Sequence, residues 1–127
     1  MIHQNSARFF KDIAYDNGYD GLASADTEAC RIAKQLGDKS VMMMGQHGVL
    51  VTGKSTAEAF DKTYYLERAA QLQVLGLSTG KKMVEMSDDL TNIVKQQIED
   101  DAHFLIPAHF GAIKRIVAHT YPGDYTS

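Results

Sequence analysis

Two short apolar runs separated by a polar turn constrain the fold of this chain more than any other feature. The first run is Val41–Met44, which stops at Gly45, and the second is Val49–Val51. Apolar runs of this length, bounded by turn residues, are typical of strands buried on both faces. Between them, Gln46-His47-Gly48 places an imidazole at a strand end, beside glycines that let other groups approach closely. A chain presents a metal ligand in this way.

Helical patterns lie on both sides of these two runs. Ser55-Thr-Ala-Glu58 is a capping box, which predicts that a helix begins at Ser55. Ser87-Asp-Asp predicts another helix start, and Pro107 is expected to kink or interrupt that helix because proline lacks an amide hydrogen. A third, weak strand is predicted near Asp20–Ala23. The predicted helices span residues 5–13, 26–36, 55–75 and 87–119. In the last of them, Leu90, Ile93, Val94 and Ile98 are predicted to face inward.

These elements predict an α/β layered domain with few strands. A sheet of two or three strands this apolar would expose an unpaired edge. We therefore expect either that another chain covers the edge or that the sequence is part of a larger fold.

Composition narrows the class of function. The chain has 127 residues, enough for one domain, and its net charge of −3 argues against nucleic acid or an anionic membrane as a partner. No apolar run approaches the length of a membrane span, and the first residues lack the pattern of a signal peptide. The single cysteine, Cys30, is predicted to be a buried core thiol, and one cysteine fits an intracellular, cytoplasmic setting.

Several segments together resemble the C-terminal half of class II aldolase/adducin proteins, the family of metal-dependent sugar-phosphate aldolases, epimerases and adducin head domains. The resemblance covers nearly the whole chain, and its most specific part is residues 37–70. The segments that carry it are His3-Gln-Asn-Ser-Ala-Arg-Phe-Phe, Tyr19-Asp-Gly-Leu-Ala, Gly37-Asp-Lys-Ser-Val, Gln46-His-Gly-Val-Leu-Val-Thr-Gly, Ala57-Glu-Ala-Phe, Tyr64-Tyr-Leu-Glu-Arg-Ala and His109-Phe-Gly-Ala-Ile-Lys-Arg.

The resemblance implies a divalent metal, commonly zinc, held by three histidines. His47 matches the position of the third ligand. The other two belong to a His-x-His strand, and no His-x-His occurs in this sequence. That strand and the acid/base glutamate are expected upstream of Met1, so the catalytic residues are unknown. The chain is interpreted as one domain over residues 1–127 that lacks its N-terminal half.

The remaining histidines and the tail tyrosines are alternative candidates for site residues. His103 and His109 lie six positions apart, which is not the spacing that places two ligands on one helical face, and both are predicted to be solvated. His3, Tyr121 and Tyr125 are candidates for a site between subunits, because the resemblance implies active sites shared by neighbouring copies. A homo-oligomer is expected.

Two functions follow from the resemblance. The first is a class II aldolase-like lyase that acts with a divalent metal on a small hydroxy-carbonyl compound or sugar phosphate, incomplete as a catalyst in this chain. The second is a non-catalytic, adducin-like or remnant domain used for protein association. Metal content and lyase activity distinguish them.

Overall fold

The computed structural model describes residues 1–18 and 26–123, in which a small sheet is flanked by helices. A short 3-10 helix, Gln4–Phe9, opens the chain. The strands are β1 (Ile13–Asp16), β2 (Val41–Met44) and β3 (Gly48–Val51), and the α-helices are α1 (Asp26–Leu36), α2 (Thr56–Ser78) and α3 (Asp88–Thr120).

The strands form a mixed sheet in the order β1-β2-β3. β1 pairs with β2 in parallel, with Ile13 opposite Val41, and β2 pairs with β3 in antiparallel, with Met44 opposite Gly48. The carboxyl ends of β1 and β2 therefore lie at the same edge of the sheet, and the turn from β2 to β3 lies there too. This edge is called the ligand edge below.

The amino-terminal prediction was wrong in part. The helix predicted over residues 5–13 ends at Phe9, and Ile13 begins β1 instead of completing a helical face. Its pairing with β2, which lies far away in sequence, overrides the local helical spacing. The weak strand predicted near Asp20–Ala23 lies outside the described residues.

Both long helices begin where their capping residues predicted. The Ser55 hydroxyl accepts a hydrogen bond from the Glu58 amide at 3.2 Å, and the Ser87 hydroxyl accepts one from the Leu90 amide at 3.3 Å. The second half of the predicted capping box differs, because the Glu58 carboxylate accepts from the Lys54 amide at 2.9 Å, one residue earlier than expected. The amino end of α2 is thus fixed directly after the sheet.

α3 has the predicted extent to within one residue at each end and is not interrupted. Pro107 lies inside a single helix of 33 residues, Asp88–Thr120. A proline removes only one backbone hydrogen bond, and the packing of α3 against α2 outweighs that loss. Of the four residues predicted to face inward, Val94 and Ile98 are partly buried. The prediction was wrong for Leu90 and Ile93, which are 47% and 56% exposed. No helix in the described ranges is long and apolar enough to cross a membrane.

The hydrophobic core is small for a chain of this length. Its centre is Phe9, Val41 and Leu66, one residue each from the 3-10 helix, β2 and α2. β3 is covered less than the predicted two-sided burial requires, because Val49 remains 46% exposed. Cys30, predicted to be a core thiol, is exposed on α1. Among the described residues, α1 contacts the sheet mainly through β1.

A buried charge cluster joins the 3-10 helix, α2 and α3. Asp61 on α2 is 3% exposed and accepts hydrogen bonds from Arg8 Nη1 and from the His109 ring, both at 2.7 Å. The Arg8 guanidinium also stacks on Tyr65, 3.8 Å from the ring centre. Burial of an acid is tolerated when cationic or polar partners satisfy both of its oxygens, as they do here.

Candidate functional site

His47 lies in the tight turn at the ligand edge. The turn is closed by a hydrogen bond from the His47 amide to the Met44 carbonyl at 3.3 Å. Gln46 adopts a left-handed conformation with φ of 62°, and Gly48 has φ of 141°. These angles are costly for most residues and reverse the chain within three positions. The result is an exposed imidazole at the end of β2, as the sequence predicted for its location.

The end of β1 lies directly beside this turn. The Gly45 amide donates to the Asp16 carbonyl at 2.7 Å. A side chain at Gly45 would meet the Asn17 Oδ1 at 3.4 Å and the Asp16 carbonyl at 3.5 Å. These are ordinary van der Waals distances, so the backbone hydrogen bond, and not the lack of a side chain, holds the two strand ends together. The carboxyl ends of adjacent parallel strands are where α/β folds place ligands.

An ion-pair network stabilises the same edge, and the sequence reading missed it. Both Asp16 oxygens accept hydrogen bonds from Arg31 on α1, at 2.9 and 2.8 Å, and Arg31 also binds Glu28 at 2.7 Å. The hydrogen bonds from Arg31 hold the pKa of both carboxyl groups below their usual range, and the Gly18 amide lowers that of Asp16 further. The pKa of Arg31 is raised by the same two acids. Asp16 is therefore committed to an ion pair.

The described residues contain only part of the metal site that the resemblance implies. Within residues 1–18 and 26–123, no group of three or more His, Cys, Asp or Glu side chains is placed to hold a metal ion. Asp16, whose carbonyl accepts from the Gly45 amide at the start of the turn, has its carboxylate occupied by Arg31. The described residues therefore do not make up the three-histidine site that the resemblance implies, and His47 is the one member of that site matched by motif.

The three candidates for a site between subunits are His3, Tyr121 and Tyr125, and they lie in other parts of the sequence than the His47 turn. His3 precedes the 3-10 helix, where its Nδ1 accepts a hydrogen bond from the Asn5 amide at 3.1 Å. Its buried Nε2 has no hydrogen-bond partner among the described residues. Tyr121 follows the end of α3 and is 56% exposed. Tyr125 lies outside the described residues. Within the described ranges, the 3-10 helix that follows His3 packs mainly against α2 and α3, and α3, which Tyr121 follows, packs mainly against α2 and the 3-10 helix.

The two α3 histidines differ from each other. His103 is exposed and its Nδ1 contacts the Asp100 carbonyl at 2.9 Å, as a solvated helix residue would. His109 was predicted to be solvated as well, and this was wrong. It is held by Asp61 and packs edge-to-face against Tyr64, with ring centres 4.7 Å apart. The missed signal was Asp61 itself, an acid on an otherwise apolar helix side, which requires a polar partner.

Comparison with known proteins places this fold in a family. Residues 1–74, more than half of the chain, match the Class II Aldolase and Adducin N-terminal domain. The chain belongs to the class II aldolase and adducin family. A putative aldolase class 2 protein of Caulobacter vibrioides is 34% identical over 98 residues, covering 76% of this chain and 38% of the relative. A second one, from Pseudomonas aeruginosa, is 28% identical over 85 residues, covering 67% of this chain and 32% of the relative.

Solved structures agree with this membership. An aldolase II superfamily protein from Pseudomonas syringae superposes with a TM-score of 0.79 at 31% identity, over 94% of this chain and 47% of that protein. An L-fuculose 1-phosphate aldolase from Glaciozyma antarctica shares the fold, with a TM-score of 0.71 at 20% identity, over 94% of this chain and 45% of that chain. The family resemblance drawn from the motifs is thus confirmed, as is the α/β fold class. This chain spans less than half the length of each of these relatives.

Proposed function

We propose that this chain forms part of a class II aldolase-type lyase, in which His47 supplies one ligand to a divalent metal ion, and we expect that ion to be zinc. The other ligands come from polypeptide outside the described residues. The substrate class is a small hydroxy-carbonyl compound or sugar phosphate, in keeping with the sugar-phosphate name of one structural neighbour. This chain alone is not expected to turn over substrate.

One observation carries the proposal. In a chain of this family, the histidine that matches the ligand motif stands exposed at the carboxyl ends of two parallel strands. A histidine in that position is accessible to ligands from outside the chain, and neutral imidazole is a common zinc ligand. A histidine of purely structural use would instead be expected to lie on a packed surface.

The surrounding residues support this role by fixing the turn. The Arg31–Asp16 pair joins α1 to the end of β1, and the bond from Gly45 to Asp16 joins β1 to the turn that carries His47. The His47 backbone is therefore held through two strands and one helix. A ligand held on a rigid frame binds with less loss of conformational entropy than one on a loose loop.

A chimera tests the proposal. This chain replaces the matched 47% of the Pseudomonas syringae protein, and the purified product is assayed for bound metal and for cleavage of L-fuculose 1-phosphate and related hydroxy-carbonyl phosphates. We expect bound metal and metal-dependent cleavage, both lost in the His47→Ala variant.

The matched control is His119→Ala, which removes an exposed histidine at the far end of α3. It should leave both metal and activity unchanged. A folded chimera that retains its full metal content after the His47→Ala change would contradict the proposal.

The alternative is a domain of the same fold used for association without catalysis. The observation that favours it is the incomplete ligand set among the described residues. It predicts that the chimera folds and carries no metal whether or not His47 is present. Under either function, a cytoplasmic location and assembly of several copies remain our proposals.

A further inference from the structure

A groove with a volume of about 730 Å³ lies between the 3-10 helix, the start of α2 and the middle of α3. Two residues of its lining mark its place beside the sheet. Asp12 directly precedes β1 and accepts from the Ser40 amide at 2.8 Å, and Lys54 follows β3. Because β1 is parallel and β3 antiparallel to β2, both residues lie at the opposite end of the strands from the His47 turn. The groove is therefore separate from the ligand edge, and we call it the Arg8 groove after another residue of its lining.

Apolar side chains make up a large part of the lining of the Arg8 groove, and most of them come from α3. Cavities that hold small molecules have volumes of roughly 300 to 1,000 Å³ and combine an apolar lining with a few polar groups. An organic molecule with an apolar body therefore suits both the size and the lining of this groove. The apolar members of the lining are Phe9, Ile98, Ala102, Leu105, Ile106 and Pro107.

Arg8 is a charged residue of this lining whose donor atoms are only partly used. Its Nη1 donates to Asp61 at 2.7 Å, and its guanidinium lies 3.8 Å from the centre of the Tyr65 ring. The buried Nε has no hydrogen-bond partner within residues 1–18 and 26–123. A buried donor without an acceptor is costly, and 15% of the Arg8 side chain is exposed. The guanidinium therefore retains a donor to offer and an exposed part through which an acceptor in the groove can approach it.

Arg31 shows how a guanidinium of this chain uses its full set of donors. It binds two carboxylates at once, since Nη1 and Nη2 donate to Asp16 while Nε and Nη2 donate to Glu28, at distances of 2.7 to 2.9 Å. Arg8 binds the Asp61 carboxylate through Nη1, and its Nε is the donor left over. A second carboxylate at Arg8 would take the place that Glu28 has at Arg31, because two parallel N–H donors match the two oxygens of a carboxylate.

Two further acids of the lining are neutralised by lysines. Glu58 pairs with Lys62 at 2.9 Å, and Glu99 lies 3.8 Å from Lys95. Lys54, an exposed residue of the lining, adds a positive charge. Repulsion of an incoming carboxylate by the acids is thereby reduced, and the charges of Arg8 and Lys54 favour an anion over a neutral ligand.

We propose that the Arg8 groove binds a small organic carboxylate with an apolar body. The carboxylate accepts hydrogen bonds from Arg8, the body lies along the apolar residues of α3, and Lys54 strengthens the attraction for the negative charge. The Arg8–Asp61 pair stays in place, as the Arg31–Asp16 pair does beside Glu28. Neither His47 nor a metal ion takes part, so this proposal and the proposed function are tested separately.

An NMR titration of the full chain with sodium hexanoate tests the proposal, with the amide shifts as the readout. We expect saturable shifts at the residues that line the groove, with a dissociation constant of about 1 mM or lower. Hexanamide has nearly the same shape without the charge, so it should bind at least about tenfold more weakly. Acetate has the charge without the apolar body, and it should also bind at least about tenfold more weakly.

Two substitutions locate the site. Ala102→Phe places a large side chain in the apolar lining and should weaken hexanoate binding about tenfold, because the body of the ligand loses its place. The matched control is Ala118→Phe, the same change at an exposed position near the end of α3, which should leave the affinity unchanged. Arg8→Lys keeps a positive charge beside Asp61 but loses the planar fork, so binding should weaken about tenfold. Circular dichroism confirms that each variant keeps its helix content.

Four results would overturn the proposal. Three of them are the absence of saturable shifts up to about 20 mM hexanoate, equal binding of hexanamide, and a folded Ala102→Phe variant whose affinity is unchanged. The fourth is inorganic phosphate that binds at least as tightly as hexanoate, because the groove would then be a general anion site that does not recognise an organic carboxylate.

Discussion

Asp61 is the residue through which three helical segments contact one another. Its carboxylate is almost fully buried and binds Arg8 from the 3-10 helix and His109 from α3. Phe60, Tyr64 and Tyr65 surround the His109 ring, so water has little access to it. Truncating one member of such a cluster leaves the others buried without a partner, which costs more than the lost contact itself.

Asp61→Asn should therefore destabilise the fold strongly. We expect the free energy of unfolding in urea to fall by about 3 kcal/mol, because Arg8 would keep a buried charge without its counter-ion. Asp101→Asn, a change to an exposed acid on α3, is the control and should alter stability by less than about 0.5 kcal/mol. Equal effects of the two variants would show that the buried cluster does not hold the helices together.

The residues of the candidate site could be predicted only in part. His47 was found because its motif is local: a strand end, a turn and two glycines lie within four positions of one another. His109 was misread because its partner, Asp61, lies 48 residues away, and local spacing carries no information about that distance. Arg31 was missed for the same reason, since its role depends on the end of β1.

At the scale of the elements, prediction succeeded where the signal is local. Ser55 and Ser87 begin helices because their hydroxyls satisfy backbone amides a few residues away. β1 was missed because four residues with no alternating pattern become a strand only through pairing with β2. The interruption that was one of the two outcomes expected at Pro107 does not occur, since the cost of the proline is local whereas the gain of helix packing extends along α3.

The stability that the Arg31 ion pairs give to the docking of α1 on β1 should be lost at acidic pH. Arg31 lowers the pKa of Asp16 and of Glu28, so the stabilisation is present above their ordinary values, about 4. It is lost as pH falls through the lowered values. In Arg31→Gln, we expect the NMR titration of Asp16 to move upward, and the stability difference from wild type to vanish at low pH.

The control for this titration is Lys34→Gln, which removes an exposed charge from the same helix. It should leave the Asp16 titration near its wild-type position. An Asp16 titration that is the same in Arg31→Gln and wild type would contradict the assignment of the ion pair.

At the scale of the whole molecule, the fold class and the family followed from the sequence, whereas the extent of burial did not. The motifs and the capping boxes indicated a class II aldolase-type α/β domain. The sequence predicted correctly that apolar surface is exposed, but it did not predict where that surface lies. It was expected at a sheet edge, and much of it lies on α2 and α3, because helical spacing identifies an apolar face without saying whether anything covers it.

The central claim is that His47 is a metal ligand whose partners lie outside the described residues. Zinc titration of the isolated chain, followed through the imidazole resonances of its five histidines, tests it most directly. We predict that His47 responds first, in fast exchange and with weak affinity, because one imidazole binds zinc poorly without further ligands. A tight stoichiometric site in this chain alone, or zinc binding at other histidines while His47 remains unperturbed, would contradict the claim.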